Sequence, residues 1–142
     1  MPTRDRIADM YVTKAESSLA EAETLVGAGF FDGAVSRAST SCVHVMNAAI
    51  ALHGRPDDPK VVSECVTAWA ADGRLPPAAA LYFQVATMMR MEADDTCNFA
   101  GQDNAENSIA GARHFIQIVQ RVAGLSHVPT RTVAQPVTPR KF

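Results

Sequence analysis

Two side chains with chemistry to offer, Arg37 and His44, stand seven residues apart in the run SRASTSCVHVMNAAIAL. Histidine titrates near neutrality and can act as general base or general acid. Arginine stays charged and presents a planar fork to phosphate or carboxylate oxygens. On an α-helix, at about 100° per residue, seven steps return to within about 20° of the start, so the two side chains share a face about two turns apart. Between Phe30 and Leu52 the only other full charge is Asp32. A helix facing water would carry lysine and glutamate, so this pair is expected to look into a cleft or an interface. The plainer alternatives are a buried histidine bonded to a carbonyl, and an arginine tied to Glu92, Asp94 or Asp95, since an unpaired buried charge is costly.

Other candidates surround the pair. Thr40 and Ser41 could touch a bound phosphate, although Ser and Thr on a packed helix often bond back to a carbonyl. Arg90 and Asp94, four apart, form an ordinary helical ion pair or border the same cleft. His53 and His114 read as surface or capping residues. Met88, Met89 and Met91 read as core filler.

The elements that must position these groups are helical throughout. A first helix over 5–26 repeats Ala8, Tyr11, Ala15, Ser18, Ala22 and Leu25, and ends at Gly27-Ala28-Gly29. A second, over 31–53, carries the stripe Phe31, Val35, Ala38, Cys42, Val45, Ala49, Leu52, with Arg37, Ser41 and His44 on one flank. A short third helix spans 59–71. Pro76-Pro77 opens a fourth, running to about Ala93 with Leu81, Val85 and Met88 as its apolar side. Asp103, with Glu106 three residues on, is expected to cap the last helix as a capping box. The pattern predicts an all-α, antiparallel up-and-down bundle of four to five helices. It makes 1–125 a single domain and 126–142 a flexible Pro-rich basic tail.

Composition narrows the class. The chain has 142 residues, 47% of them hydrophobic, enough for one core. A net charge of −2 argues against a broad basic platform, so no DNA partner is expected, although a small basic site is compatible. Three scattered cysteines without a CxxC read as reduced thiols, with neither a disulfide framework nor a metal site. No run of about 18 apolar residues appears, and MPTRDRIADM lacks an apolar signal core, so a cytoplasmic protein with no membrane span is expected.

The segment KAESSLAEAETLVGAGFFDGAVSRA, the histidine seven after Arg37, and the AIALHG run together resemble the HEPN family of small helical proteins. The resemblance continues through DGRLPPAAALYFQVATMMRMEADD, where Arg90, Ala93 and Asp94 match the family's Arg-x-x-Ala-Asp ending, and into the last helix at Ala105, Ala112 and Phe115. It covers roughly residues 14–122. Where the family's second helix often reads R-A-Y-Y-A-x-F-H, this chain has Ser39 and Thr40 in place of the tyrosines and Val43 before the histidine. Asp95 stands where tyrosine is common. The resemblance implies a homodimer in which Arg37 and His44 of two copies converge in a cleft. It also implies metal-independent endoribonuclease activity with no cofactor and, in many members, the role of toxin beside a nucleotidyltransferase-type antitoxin. On this reading Arg37 binds the scissile phosphate, His44 is the acid or base, and Ser41, Thr40 and Arg90 contact RNA. The alternatives are a catalytically inactive HEPN module binding a nucleotide or a partner protein, and a dimerisation module with no ligand.

Overall fold

The computed structural model describes residues 3–125, so the expected tail over 126–142 lies outside the described residues. Five helices follow in order: α1 Arg4–Gly27, α2 Phe31–Ala51, α3 Pro59–Ala71, α4 Pro77–Asp95 and α5 Gln102–Ala123. The all-α bundle expected from the periodicity is what the chain forms.

Each boundary has a local cause. Thr3 caps α1 by accepting the Arg6 N–H at 3.2 Å. Beyond Gly27, Gly29 takes φ +82°, a conformation glycine adopts without cost, and the chain reverses into α2. Asp58 caps α3, with Pro59 in its first turn. The last helix differs from expectation: Gly101, not Asp103, precedes it. Glu106 accepts from the Gln102 side chain at 2.9 Å rather than closing a capping box.

α2 is the axis of the molecule. It packs against every other helix, whereas α1 and α4 do not pack on each other. Arg37 meets Ser18 and His44 meets Tyr11, so α1 runs antiparallel to α2. Ser36 meets Asp94, so α4 is antiparallel as well. Ala15, Ala22 and Ala38 are wholly buried, and small side chains of this kind let α1 and α2 approach closely. On the other side, Phe83 and Tyr82 of α4 stack against Phe115 of α5, with ring centroids 5.4 and 6.3 Å apart. Burial pushes the Cys42 thiol up to about 12, so it packs as a small apolar group.

The apolar side of α4 requires a correction. Its buried residues are Ala79, Ala80, Phe83 and Ala86, with Tyr82 and Met89 at the edge. Leu81, Val85, Met88 and Met91 are instead 61%, 42%, 68% and 51% exposed. From Pro77 to Met89 the helix carries no charge, so it is apolar on every side, and periodicity alone does not choose the face. The aromatic pairing with Phe115 chooses it.

Candidate functional site

Because α1 and α4 flank α2 without meeting, one strip of α2 is left half open between them. Ser36, Arg37, Thr40, Val43 and His44 occupy this strip and are all half-buried, whereas Ala38, Cys42, Val45 and Ala49 on the opposite side are buried. The two residues singled out by spacing therefore lie on one groove.

The Arg37 guanidinium is held from the α1 wall. Its Nη2 donates to Ser18 Oγ at 2.9 Å and to Glu21 Oε1 at 3.3 Å. The carboxylates considered as its partners, Glu92, Asp94 and Asp95, are not used. Asp94 instead accepts from Ser36 Oγ at 3.1 Å and faces Arg90 Nη1 at 3.6 Å. Arg90 thus stands on the α4 wall of the groove, tied by Asp94 to the residue adjoining Arg37. The two Ser/Thr candidates separate. Thr40 lies on the strip and bonds to the Ser36 carbonyl at 2.9 Å. Ser41 is fully buried and bonds to the Ala38 carbonyl at 2.6 Å, so it does not share the flank expected of it.

His44 sits two turns further along. Its ring lies 6.2 Å from that of Tyr11 on α1, tilted by 38°. Burial pushes its imidazole below the ordinary value, and the positive charges of Lys14 and Arg37 add to this. Asp57 and Glu21 oppose them without prevailing. The histidine is therefore neutral near pH 7, the form that accepts a proton. Among the described residues, three buried side-chain polar atoms have no hydrogen-bond partner, and two of them are Arg37 Nε and His44 Nδ1. Such atoms are rare in folded proteins, and each calls for an explanation.

Tyr11 and Asp57 were not singled out as site residues in the sequence. The 3-4 repeat places Tyr11 on the core side of α1, and it is in fact half-buried at the rim. Asp57 lies in the loop after α2, where only its positive φ of 71° marks it.

His53 and His114 are exposed, as expected. A separate hollow of about 320 Å³ lies at the C-terminal end of α2, between Ile50, Cys65, Trp69 and Val122, away from Arg37 and His44. Among the described residues no three His, Cys, Asp or Glu side chains are grouped as metal ligands, and no helix is long and apolar enough to cross a membrane. No protein-family model matches the chain, and comparison with curated proteins finds no significant match.

Proposed function

We propose that this chain is a HEPN-type, metal-independent endoribonuclease that works as a homodimer and serves as the toxin of a toxin–antitoxin pair, with a nucleotidyltransferase-type protein as antitoxin. One observation carries the reading. Arg37 Nε and His44 Nδ1 are buried without protein partners, and the two side chains that carry them lie on the same half-open strip of α2. A phosphodiester offers groups that the accessible parts of these side chains can use: anionic oxygens for the guanidinium, and a 2′-hydroxyl proton for the neutral imidazole.

In this mechanism one His44 takes the 2′-hydroxyl proton as O2′ attacks phosphorus. A second proton donor protonates the departing O5′. One chain offers a single histidine on the groove, and a two-fold dimer supplies the second. Arg37, already oriented by Ser18 and Glu21, stabilises the charge that builds on the phosphorane. Exposed Leu81, Val85, Met88 and Met91 on the outer side of α4 give a second copy an apolar face on which to sit.

The test is cleavage of single-stranded RNA by the purified chain in excess EDTA. His44→Ala is expected to reduce the rate by about 10²–10⁴-fold, with a comparable loss in Arg37→Ala. Undiminished cleavage in either variant would overturn the assignment. A second reading, a catalytically silent HEPN module binding a nucleotide or a partner protein, is favoured by the Arg37–Glu21 pair, which already satisfies part of the guanidinium. Intact RNA with the wild-type protein, together with retained binding of a nucleotide or RNA, would select it.

A further inference from the structure

The chain has two tyrosines, and the fold uses them differently. Tyr82 packs into the main hydrophobic cluster, bonds to the Ser108 carbonyl and pairs with Phe115. Tyr11 belongs to neither hydrophobic cluster. Its ring meets the His44 ring, 6.2 Å away between centroids, and its hydroxyl makes no hydrogen bond among the described residues. A tyrosine used for packing buries its ring and finds a partner for its polar tip. This one does neither, and it stands half-buried on the α1 wall beside the histidine.

A second side chain on the same wall is also uncommitted. Lys14 follows Tyr11 by three residues and precedes Ser18 by four. On α1 it therefore lies between the residue that meets His44 and the residue that holds Arg37. Glu21, seven residues further on, shares its bearing to within about 20° and reaches Arg37 across the groove. Lys14 is exposed, with no hydrogen bond or ion pair among the described residues. The two other cations of the groove are each matched by a carboxylate, Arg37 by Glu21 and Arg90 by Asp94. Lys14 adds a positive charge that is not matched in this way, one turn from an aromatic ring.

A ring and a cation so placed answer the two parts of a nucleotide. Every base has a π-face that can lie on a tyrosine, and the phosphate beside it is an anion for an ammonium group. We propose that Tyr11 and Lys14 form the strand-binding wall of the groove: Tyr11 stacks one unpaired base of a single-stranded RNA, and Lys14 holds a neighbouring phosphate. A strand held this way runs past His44 and Arg37. A base inside a duplex is covered on both faces by its neighbours, so the wall selects single strands. Neither contact depends on which base is present, so the wall fixes where the strand lies and not its sequence. Its value for cleavage rests on the ribonuclease reading; its hold on the strand does not.

The probe is a short fluorescein-labelled single strand of 2′-O-methyl RNA, whose capped 2′-oxygen cannot attack phosphorus. It is titrated with the full chain at several salt concentrations and followed by anisotropy. Tyr11→Ala is expected to weaken binding by about 5- to 150-fold, the range for one base stacked on an aromatic side chain, with the salt dependence unchanged. Tyr11→Phe keeps the ring and is expected to bind within about twofold of wild type. Lys14→Gln carries the opposite signature: the slope of log affinity against log salt becomes shallower by about 0.7, the value for one phosphate contact on a single strand. Because Lys14 is exposed, this variant tests the wall even where Tyr11→Ala loosens the packing around His44. Equal affinity in wild type and Tyr11→Ala, an unchanged slope in Lys14→Gln, or no binding by the wild type overturns the proposal. On cleavable RNA the second readout is KM, expected to rise in both variants by more than kcat falls. If the oligomer signatures hold while cleavable RNA stays intact, the wall stands and the ribonuclease reading falls. If RNA is cleaved with KM and oligomer affinity unmoved in both variants, the ribonuclease reading stands and the wall falls.

Discussion

A histidine set into a half-buried groove couples the fold to pH. Burial with Lys14 and Arg37 holds the His44 imidazole below its ordinary value of 6.5. As pH falls through 6.5 the unfolded chain takes up a proton that the folded chain still refuses. The unfolded state then binds more protons, and stability is lost on acidification; above 6.5 the contribution is complete. The thermal stability of wild type relative to His44→Gln is therefore expected to decline as pH is lowered from about 7 toward 5. Parallel melting temperatures for the two proteins across that window would show that the fold does not penalise the charged ring. At this scale spacing was a good guide to which residues share a face, since Arg37 and His44 both lie on the groove. It was a poor guide to their partners. Glu21 and Ser18, which hold Arg37, are sixteen and nineteen residues away on a different helix, and no periodicity within α2 contains them. The fully buried Ser41 lies just beyond the edge of the same flank, where about one residue of helical phase separates groove from core.

The fit between α4 and α5 decides which way α4 faces, and it turns on one position. A methyl group added at Gly111 would collide with the Tyr82 ring. That ring is fixed from both ends, because its hydroxyl donates to the Ser108 carbonyl at 2.7 Å and its face meets Phe115. Gly111→Ala offers better helix propensity, yet the steric cost exceeds that gain of about 1 kcal/mol. A net loss of about 1–3 kcal/mol in urea denaturation is expected, with partial recovery when Tyr82→Leu is added. A more stable Gly111→Ala would mean that Tyr82 swings aside freely. The same contact explains a limit of the sequence. The helix count, the glycine stop of α1 and the proline start of α4 are local, and they were legible. The register of α4 is not local. Leu81, Val85 and Met88 form as regular a stripe as Ala79, Phe83 and Ala86, and the fit against α5, through the glycine slot and the pairing with Phe115, selects between them. Gln102 likewise takes Glu106, so the capping box that the spacing suggested is not formed.

Selecting the aromatic face of α4 for the core has a consequence for the whole molecule: the other apolar face is turned outward. Leu81, Val85, Met88 and Met91 line the outer side of a helix with no charged residue before Arg90. Contiguous apolar surface of this kind marks interaction sites in proteins that remain in solution. An uncharged face gives no electrostatic hold on a polyanion such as RNA, and so it suits protein. Charge at the ends of α4 favours a second copy laid antiparallel. Glu92, Asp94 and Asp95 gather at its C-terminal end, so a parallel partner would bring two acidic ends together. An antiparallel one sets each acidic end near the partner's uncharged N-terminus, where the helix dipole is positive. Such a pairing is isologous, the symmetry that a composite site would require. Light scattering after size exclusion is accordingly expected to give a dimeric mass for wild type. The double variant Leu81→Glu, Met88→Glu is expected to give a monomeric mass, with unchanged helical circular dichroism because both side chains are exposed. If the dimer also builds the active groove, RNA cleavage falls with dissociation even though Arg37 and His44 are intact. A dimer that survives both substitutions would remove α4 from the interface. Monomers in the wild type at concentrations well above those of the cleavage assay would leave each chain with a single histidine on the groove, too few for the two proton transfers.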